Sequence, residues 1–201
     1  METKDTTTTS AAAAAFITTA NKRRLGYVGA MPGAPKRDSD SWYTPETYLD
    51  AARVALGGVI DLDPFSSTSA NKRVKANRIF TVKDDGLAQA WDATTVFMNP
   101  PYSGKLCALG VNKFLDEYKR DSFQDGVFLV NNATETRWFQ RALSETNAVC
   151  FTNHRISFLN EDGKRRSGNT RGQTFFYVGR RAGVQRFISE FSKFGVVVLI
   201  P

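Results

Sequence analysis

Short apolar runs alternate along this chain with stretches of helical period, and that alternation limits the fold more than any other feature of the sequence. The runs are Val59 to Asp63, Ile79 to Val82, Thr95 to Met98, Gly126 to Val130, Ala148 to Phe151, Thr174 to Val178 and Val196 to Ile200. A helix is predicted ahead of them, with a hydroxyl cap at Thr44, Pro45 at its first position and Glu46 in its first turn. Leu49, Ala52 and Leu56 share its apolar face, and Gly57-Gly58 end it. A polar stretch separates the first two strands. Further on, Cys107, Val111, Phe114, Leu115 and Tyr118 fall on one helical face, a third helix carries Trp138, Ala142 and Leu143, and a fourth turns Val184, Phe187, Ile188 and Phe191 inward before Gly195. Strands alternating with helices argue for an α/β fold, a largely parallel sheet sandwiched between helices.

With 201 residues, 41% of them apolar, the chain can close one substantial core but not two. Fifteen Phe, six Tyr and three Trp make rings the main filling of that core. The first forty residues are a Thr/Ala tract, a basic patch at Lys22, Arg23 and Arg24, and a Gly/Pro-rich stretch, which bury too little to offset their ordering entropy. The expected organisation is a flexible arm over residues 1–40 and one folded domain over residues 41–201.

Lys and Arg number 27 against 20 Asp and Glu, a net charge of +7 that draws the chain toward a polyanion, with nucleic acid the natural candidate. Cys107 and Cys150 stand far apart without metal-type spacing, and His154 is the single histidine, so neither a disulfide framework nor a metal site is expected. No apolar run reaches the roughly 20 residues of a membrane span, and no secretory signal pattern opens the chain; a cytoplasmic protein is expected.

In an open α/β sheet, ligands bind beyond the carboxyl ends of the strands, and two unusual turns stand at such ends. One is Asp61-Leu62-Asp63-Pro64-Phe65, which puts carboxylates at the end of a strand. The other is Asn99-Pro100-Pro101-Tyr102. Its double proline restrains the backbone and holds Asn99 extended. The Asn99 side-chain oxygen and the Pro100 carbonyl can then each accept a hydrogen from an amino group, while Tyr102 offers a face for a planar ring. An aromatic amine is a poor nucleophile because its lone pair is delocalised. Two acceptors that favour a more tetrahedral nitrogen, and stabilise the charge developing on it, lower the barrier without a strong base. Simple strand-to-loop punctuation is the plainer reading of the same prolines.

Taken in order, Trp42-Tyr43-Thr44-Pro45, then Asp61-Leu62-Asp63-Pro64-Phe65-Ser66-Ser67 with Ala70-Asn71, then Asp85-Gly86-Leu87 with Trp91, then Asn99-Pro100-Pro101-Tyr102-Ser103 resemble the phage-type DNA N-6-adenine methyltransferase family. The resemblance runs from about Trp42 to Gly179. It implies a Rossmann-like class I methyltransferase fold: a mostly parallel seven-stranded sheet, antiparallel in its final strand, with helices on both faces and S-adenosylmethionine held near the first strand. On that implication Tyr43, Thr44 and Pro45 form an amino-terminal cofactor block. Asp63, Pro64 and Phe65, with Asp61 beside them, lie near the methionine part of the cofactor, and Asp85 lies near its adenine. Asn99, Pro100, Pro101 and Tyr102 are the catalytic motif. Related enzymes follow the acidic-Pro-Phe turn with a glycine-rich loop that permits close backbone approach to the cofactor, where this chain has Ser66-Ser67-Thr68-Ser69.

Such an enzyme must take its adenine out of the duplex stack. The segment from His154 to Arg171 supplies Arg155, Lys164, Arg165, Arg166 and Arg171 for phosphates, and Phe158 as a second face for the flipped ring. A solvated basic loop is the bland alternative. Two rival functions share the motif: a protein glutamine methyltransferase using the same Asn-Pro-Pro-Tyr turn, and a catalytically silent DNA-binding relative. Protection of a phage genome from host restriction is a role implied by the resemblance alone.

Overall fold

The computed structural model describes residues 42–102, 104–160, 162–166 and 168–201, so the expected arm over residues 1–40 lies outside the described residues. Twelve elements follow one another here: α1 (Glu46–Ala55), β1 (Leu62–Asp63), α2 (Thr68–Val74), β2 (Arg78–Ile79), β3 (Thr95–Met98), α3 (Gly104–Lys119), β4 (Asp125–Asn131), α4 (Arg137–Glu145), β5 (Ala148–Thr152), β6 (Gln173–Val178), α5 (Arg181–Phe191) and β7 (Gly195–Leu199). The strands form one seven-stranded sheet in the order β2-β1-β3-β4-β6-β5-β7. β2, β1, β3 and β4 pair in parallel, β6 lies antiparallel between β4 and β5, and β7 is antiparallel to β5 at the edge. Two strands therefore run against the rest, one more than the expected single final strand. The second reversal arises because β5 turns back into β6 through a loop, with no crossover helix among the described residues between them.

The two faces of the sheet bury different residues. Val96, Met98, Phe128, Val130, Phe176 and Val178 pack with Cys107, Val111, Phe114 and Leu115 of α3 and Phe139 and Ala142 of α4. Their neighbours Phe97, Val127, Leu129, Phe175 and Tyr177 pack on the other side with Leu49 and Ala52 of α1 and Phe187 and Phe191 of α5. This is the period-two alternation of a sheet covered on both faces, and it explains why the central strands read as unbroken apolar runs.

Local departures from the sequence reading have physical causes. Pro45, not Thr44, occupies the N-cap of α1, and no side chain caps that helix. The polar stretch after Phe65 contains α2, started by the Ser67 hydroxyl, which accepts from the Ala70 N–H at 3.0 Å. β1 and β2 are only two residues long, since Pro64 has no N–H with which to extend the ladder. On α4 it is Phe139, beside Ala142, that is buried, while Trp138 and Leu143 are half-buried.

Candidate active site

Register brings the two unusual turns together. β1 and β3 are parallel neighbours with Leu62 level with Val96, so Asp63 leaves the sheet beside the strand that delivers Asn99. Gly110 on α3 packs between them: a Cβ there would lie 3.3 Å from both the Phe65 ring and Pro100. The Asp85-Gly86 turn closes the same corner. A Cβ at Gly86 would run into the Pro64 carbonyl oxygen, and the buried Trp91 donates from its indole N–H to the Gly86 carbonyl at 2.8 Å while meeting Phe65 edge-on. Gly86 thus lets its own backbone approach that of Pro64, while Ser67, Thr68 and Ser69 begin α2.

Asp63 is buried, with 4% of its surface exposed. Burial pushes its carboxyl up to about 6, against the opposing pull of the nearby Ser66 hydroxyl and the Phe65 N–H, which donates to Oδ1 at 3.2 Å. The Ser66 hydroxyl is itself buried and makes no hydrogen bond of good geometry. Among the described residues no cation pairs with it.

Asn99 sits where β3 ends, and its amide nitrogen donates to the Thr44 hydroxyl at 3.2 Å while its Oδ1 is buried without a partner. Thr44 is itself 5% exposed. Tyr43 anchors the same segment through a two-way backbone bridge, its N–H donating to the Leu159 carbonyl at 3.0 Å and its carbonyl accepting from the Leu159 N–H at 2.9 Å. Leu159 also bridges Arg165, so Leu159 ties the amino-terminal block to the basic loop through isolated antiparallel bridges.

That loop is rooted by Gln173, a fully buried residue that the sequence reading passed over. Its Nε2 donates to Asn131, Asn169 and the Arg171 carbonyl, and its Oε1 accepts from the Ile156 N–H. Arg155, Lys164, Arg165 and Arg171 are exposed, whereas Arg166 is half-buried, its guanidinium 5.9 Å from the centre of the Trp42 ring. Arg73, at the end of α2, joins them: a Cβ at Gly163 would lie 2.5 Å from its guanidinium. No pattern in a seven-residue helix marked that proximity.

Two expectations need correction. Phe158 is 1% exposed, wedged 5.3 Å from Trp42 and 6.0 Å from Tyr102 between ring centres, so it is wall and not an open face for a base. Asp61 precedes the β1 ladder and is held against the start of β3, its carboxylate accepting from the Thr94 N–H at 2.9 Å, which places it at the opposite end of the sheet from Asn99. It lines a separate cleft of about 370 Å³ with Asn77, Thr94 and Arg180.

Tyr102 is half-buried and meets Phe158 edge-on, with its hydroxyl buried and unpartnered; burial drives that hydroxyl well above the ordinary phenol range. Trp42 Nε1 is a further buried atom without a partner. Trp42 meets Phe158 and Phe158 meets Tyr102, so the unpartnered Trp42 Nε1 and Tyr102 hydroxyl lie along one run of rings that ends at the turn begun by Asn99. Elsewhere, His154 is engaged structurally, its Nε2 2.7 Å from the Tyr48 hydroxyl and its Nδ1 2.5 Å from Asn153. Cys107 and Cys150 are free and buried, and burial pushes both thiols up to about 12.

A family model described as DNA N-6-adenine-methyltransferase (Dam) matches residues 32–196. Among curated proteins, a DNA N-6-adenine-methyltransferase of Haemophilus phage HP1 (strain HP1c1) is 27% identical over 142 residues, covering 69% of this chain and 78% of the relative.

Proposed function

Because the chain belongs to the DNA N-6-adenine-methyltransferase (Dam) family, we propose that it transfers a methyl group from S-adenosylmethionine to the exocyclic 6-amino nitrogen of an adenine turned out of duplex DNA. One observation carries the reading: Asn99 holds a buried, unpartnered acceptor at the end of a strand, beside a buried acid that lacks a cation.

The residues present fit the cofactor on that same observation, since a carboxyl raised to about 6 by burial is stabilised by a cationic ligand group such as an α-ammonium. Asp63, Pro64 and Phe65 would hold the methionine part, Asp85 the adenine, and Tyr43, Thr44 and Pro45 the wall opposite, whereas the Asp61 carboxylate is turned to the Thr94 N–H. What the cofactor supplies when bound is an electrophilic methyl group on a cationic sulfur.

Asn99 Oδ1 and the Pro100 carbonyl each accept one hydrogen of the adenine amino group. They turn its lone pair out of conjugation and stabilise the positive charge that develops on nitrogen. The nitrogen becomes strongly acidic as it is alkylated, so its proton can pass to water and no strong base is needed. Tyr102 stacks on the extruded base, with Phe158 behind it fixing the attitude of the ring. Arg155, Lys164, Arg165 and Arg171 face the phosphates, with Arg166 locking the hairpin that carries them onto Trp42.

Incubation of the protein with methyl-labelled S-adenosylmethionine, duplex DNA and bulk protein tests the assignment. Label is expected in DNA, recovered on digestion as N-6-methyl-2′-deoxyadenosine. Label in glutamine side chains of protein supports the glutamine methyltransferase instead, and label in neither product supports the silent binder.

A further inference from the structure

We infer that Thr44 is a positioning residue for the transfer step: its hydroxyl engages the amide nitrogen of Asn99 and thereby points Oδ1 at the substrate nitrogen. The inference rests on the methyl-transfer reading above. A carboxamide is nearly symmetric in shape, yet one end is an acceptor and the other carries two donors. Turned the wrong way, Asn99 would set its own N–H groups against those of the substrate. Engagement of Nδ2 on the far side selects the productive orientation, and Thr44 Oγ1 does this at 3.2 Å while Oδ1 stays buried and unpartnered.

Thr44 is free for the task because it does not cap α1; Pro45 takes that position. Its backbone is held from both sides. The Tyr43–Leu159 bridge fixes the preceding residue, and the following proline restricts Thr44 itself to an extended conformation. With 5% of its surface exposed, Thr44 leaves water little room to take over the bond. The hydroxyl comes from the amino-terminal block and the carboxamide from the end of β3, 55 residues apart, so the pair exists only in the folded chain.

The test compares wild type, Thr44→Val, Thr44→Ser and Asn99→Ala with the double variant Thr44→Val/Asn99→Ala. Each is measured by single-turnover methylation of DNA and by calorimetric titration with S-adenosylhomocysteine. Thr44→Val keeps the shape and removes the acceptor, and it is expected to slow the single-turnover rate about tenfold to a hundredfold at saturating cofactor. Thr44→Ser should restore most of that rate, and in the Asn99→Ala background Thr44→Val should cost nothing further, as for two groups acting as one unit. The positioning role is overturned by a Thr44→Val rate that is unchanged or faster. It is also overturned by an equal loss in the Asn99→Ala background, or by a loss confined to cofactor affinity. Wild type that leaves no label in DNA overturns the parent reading and this inference with it, an outcome distinct from a variant-only result. If Thr44→Val does not fold, as judged by its thermal midpoint, Thr44→Ala makes the same comparison.

Discussion

The amide nitrogen of Asn99 lies 3.2 Å from the hydroxyl oxygen of Thr44, so the last residue before a rigid double proline is tied to the residue ahead of the N-cap of α1. The contact leaves one end of a carboxamide committed and the other buried and waiting.

Asn99→Ala removes that waiting acceptor while leaving the Asp63 and Asp85 turns untouched. Single-turnover methylation should fall by about 10²–10³, the usual cost of deleting one preorganised group aimed at developing charge. Calorimetry should show cofactor binding within error of wild type. An unchanged rate would remove Asn99 from the chemistry.

Asp63 sets a pH dependence whose sign follows from its raised carboxyl. Ordinarily near 3.8, it rises to about 6 in the fold, so between those values the folded state holds the proton more tightly than the unfolded chain. Its contribution to stability is complete below about 4 and is lost as pH climbs through about 6. Asp63→Asn should flatten that slope in denaturant titrations of the cofactor-free protein, leave it as stable or more stable at pH 7, and abolish binding of S-adenosylhomocysteine. Tight binding by the asparagine variant would refute the cationic-partner role.

Asp125 shows the opposite slope. Burial would raise its carboxyl, but hydrogen bonds from Arg180 and Tyr177 outweigh it and hold it below the usual range, so its contribution is present at neutral pH and lost as pH falls below about 4. Asp125→Ala should be destabilising at pH 7, because it removes the buried carboxylate that Arg180 and Tyr177 hold. Chemical denaturation at pH 7 and pH 3 measures both the loss and its decline in acid.

Gly86→Ala places a methyl group against the Pro64 carbonyl. The obstacle is backbone, which cannot swing aside, so the variant should lose at least about 1–3 kcal/mol and bind S-adenosylhomocysteine more weakly as the Asp63-Pro64-Phe65 turn shifts. A midpoint and affinity equal to wild type would show that the turn has room to spare.

Arg165→Ala should reduce the slope of log affinity for duplex DNA against log salt by about one, leaving cofactor binding and thermal midpoint unchanged, since its side chain is exposed. Arg166→Ala should also lower the midpoint, because its guanidinium lies over Trp42. A salt slope unchanged in both variants would take the hairpin out of the DNA interface.

Much of the fold was legible because the signals were local. Apolar runs and helical faces depend on residues within a few positions of one another, so among the described residues every strand and four of the five helices could be placed from them. The short helix α2 escaped because its seven residues bury only Val74 and it starts on a serine cap within a polar stretch. The double-proline turn was legible for the same reason, being rigid through its own covalent geometry.

Residues whose role depends on who else arrives were not legible. Phe158 reads as an exposed loop aromatic until Trp42 and Tyr102 close over it, and Asp61 reads like Asp63 until register assigns it to the start of β3 rather than the site. Thr44 looks like a helix cap in sequence and becomes a partner of Asn99 only when the amino-terminal block is pinned to Leu159. Composition and period alone determined an α/β chain with a proline-locked acceptor at a strand end, because those properties are written over a few neighbouring residues. Which carboxylate is starved of a cation, which ring is wall, and which way the Asn99 amide faces were decided by tertiary structure, because burial and hydrogen-bond partners are set by segments far apart in the chain.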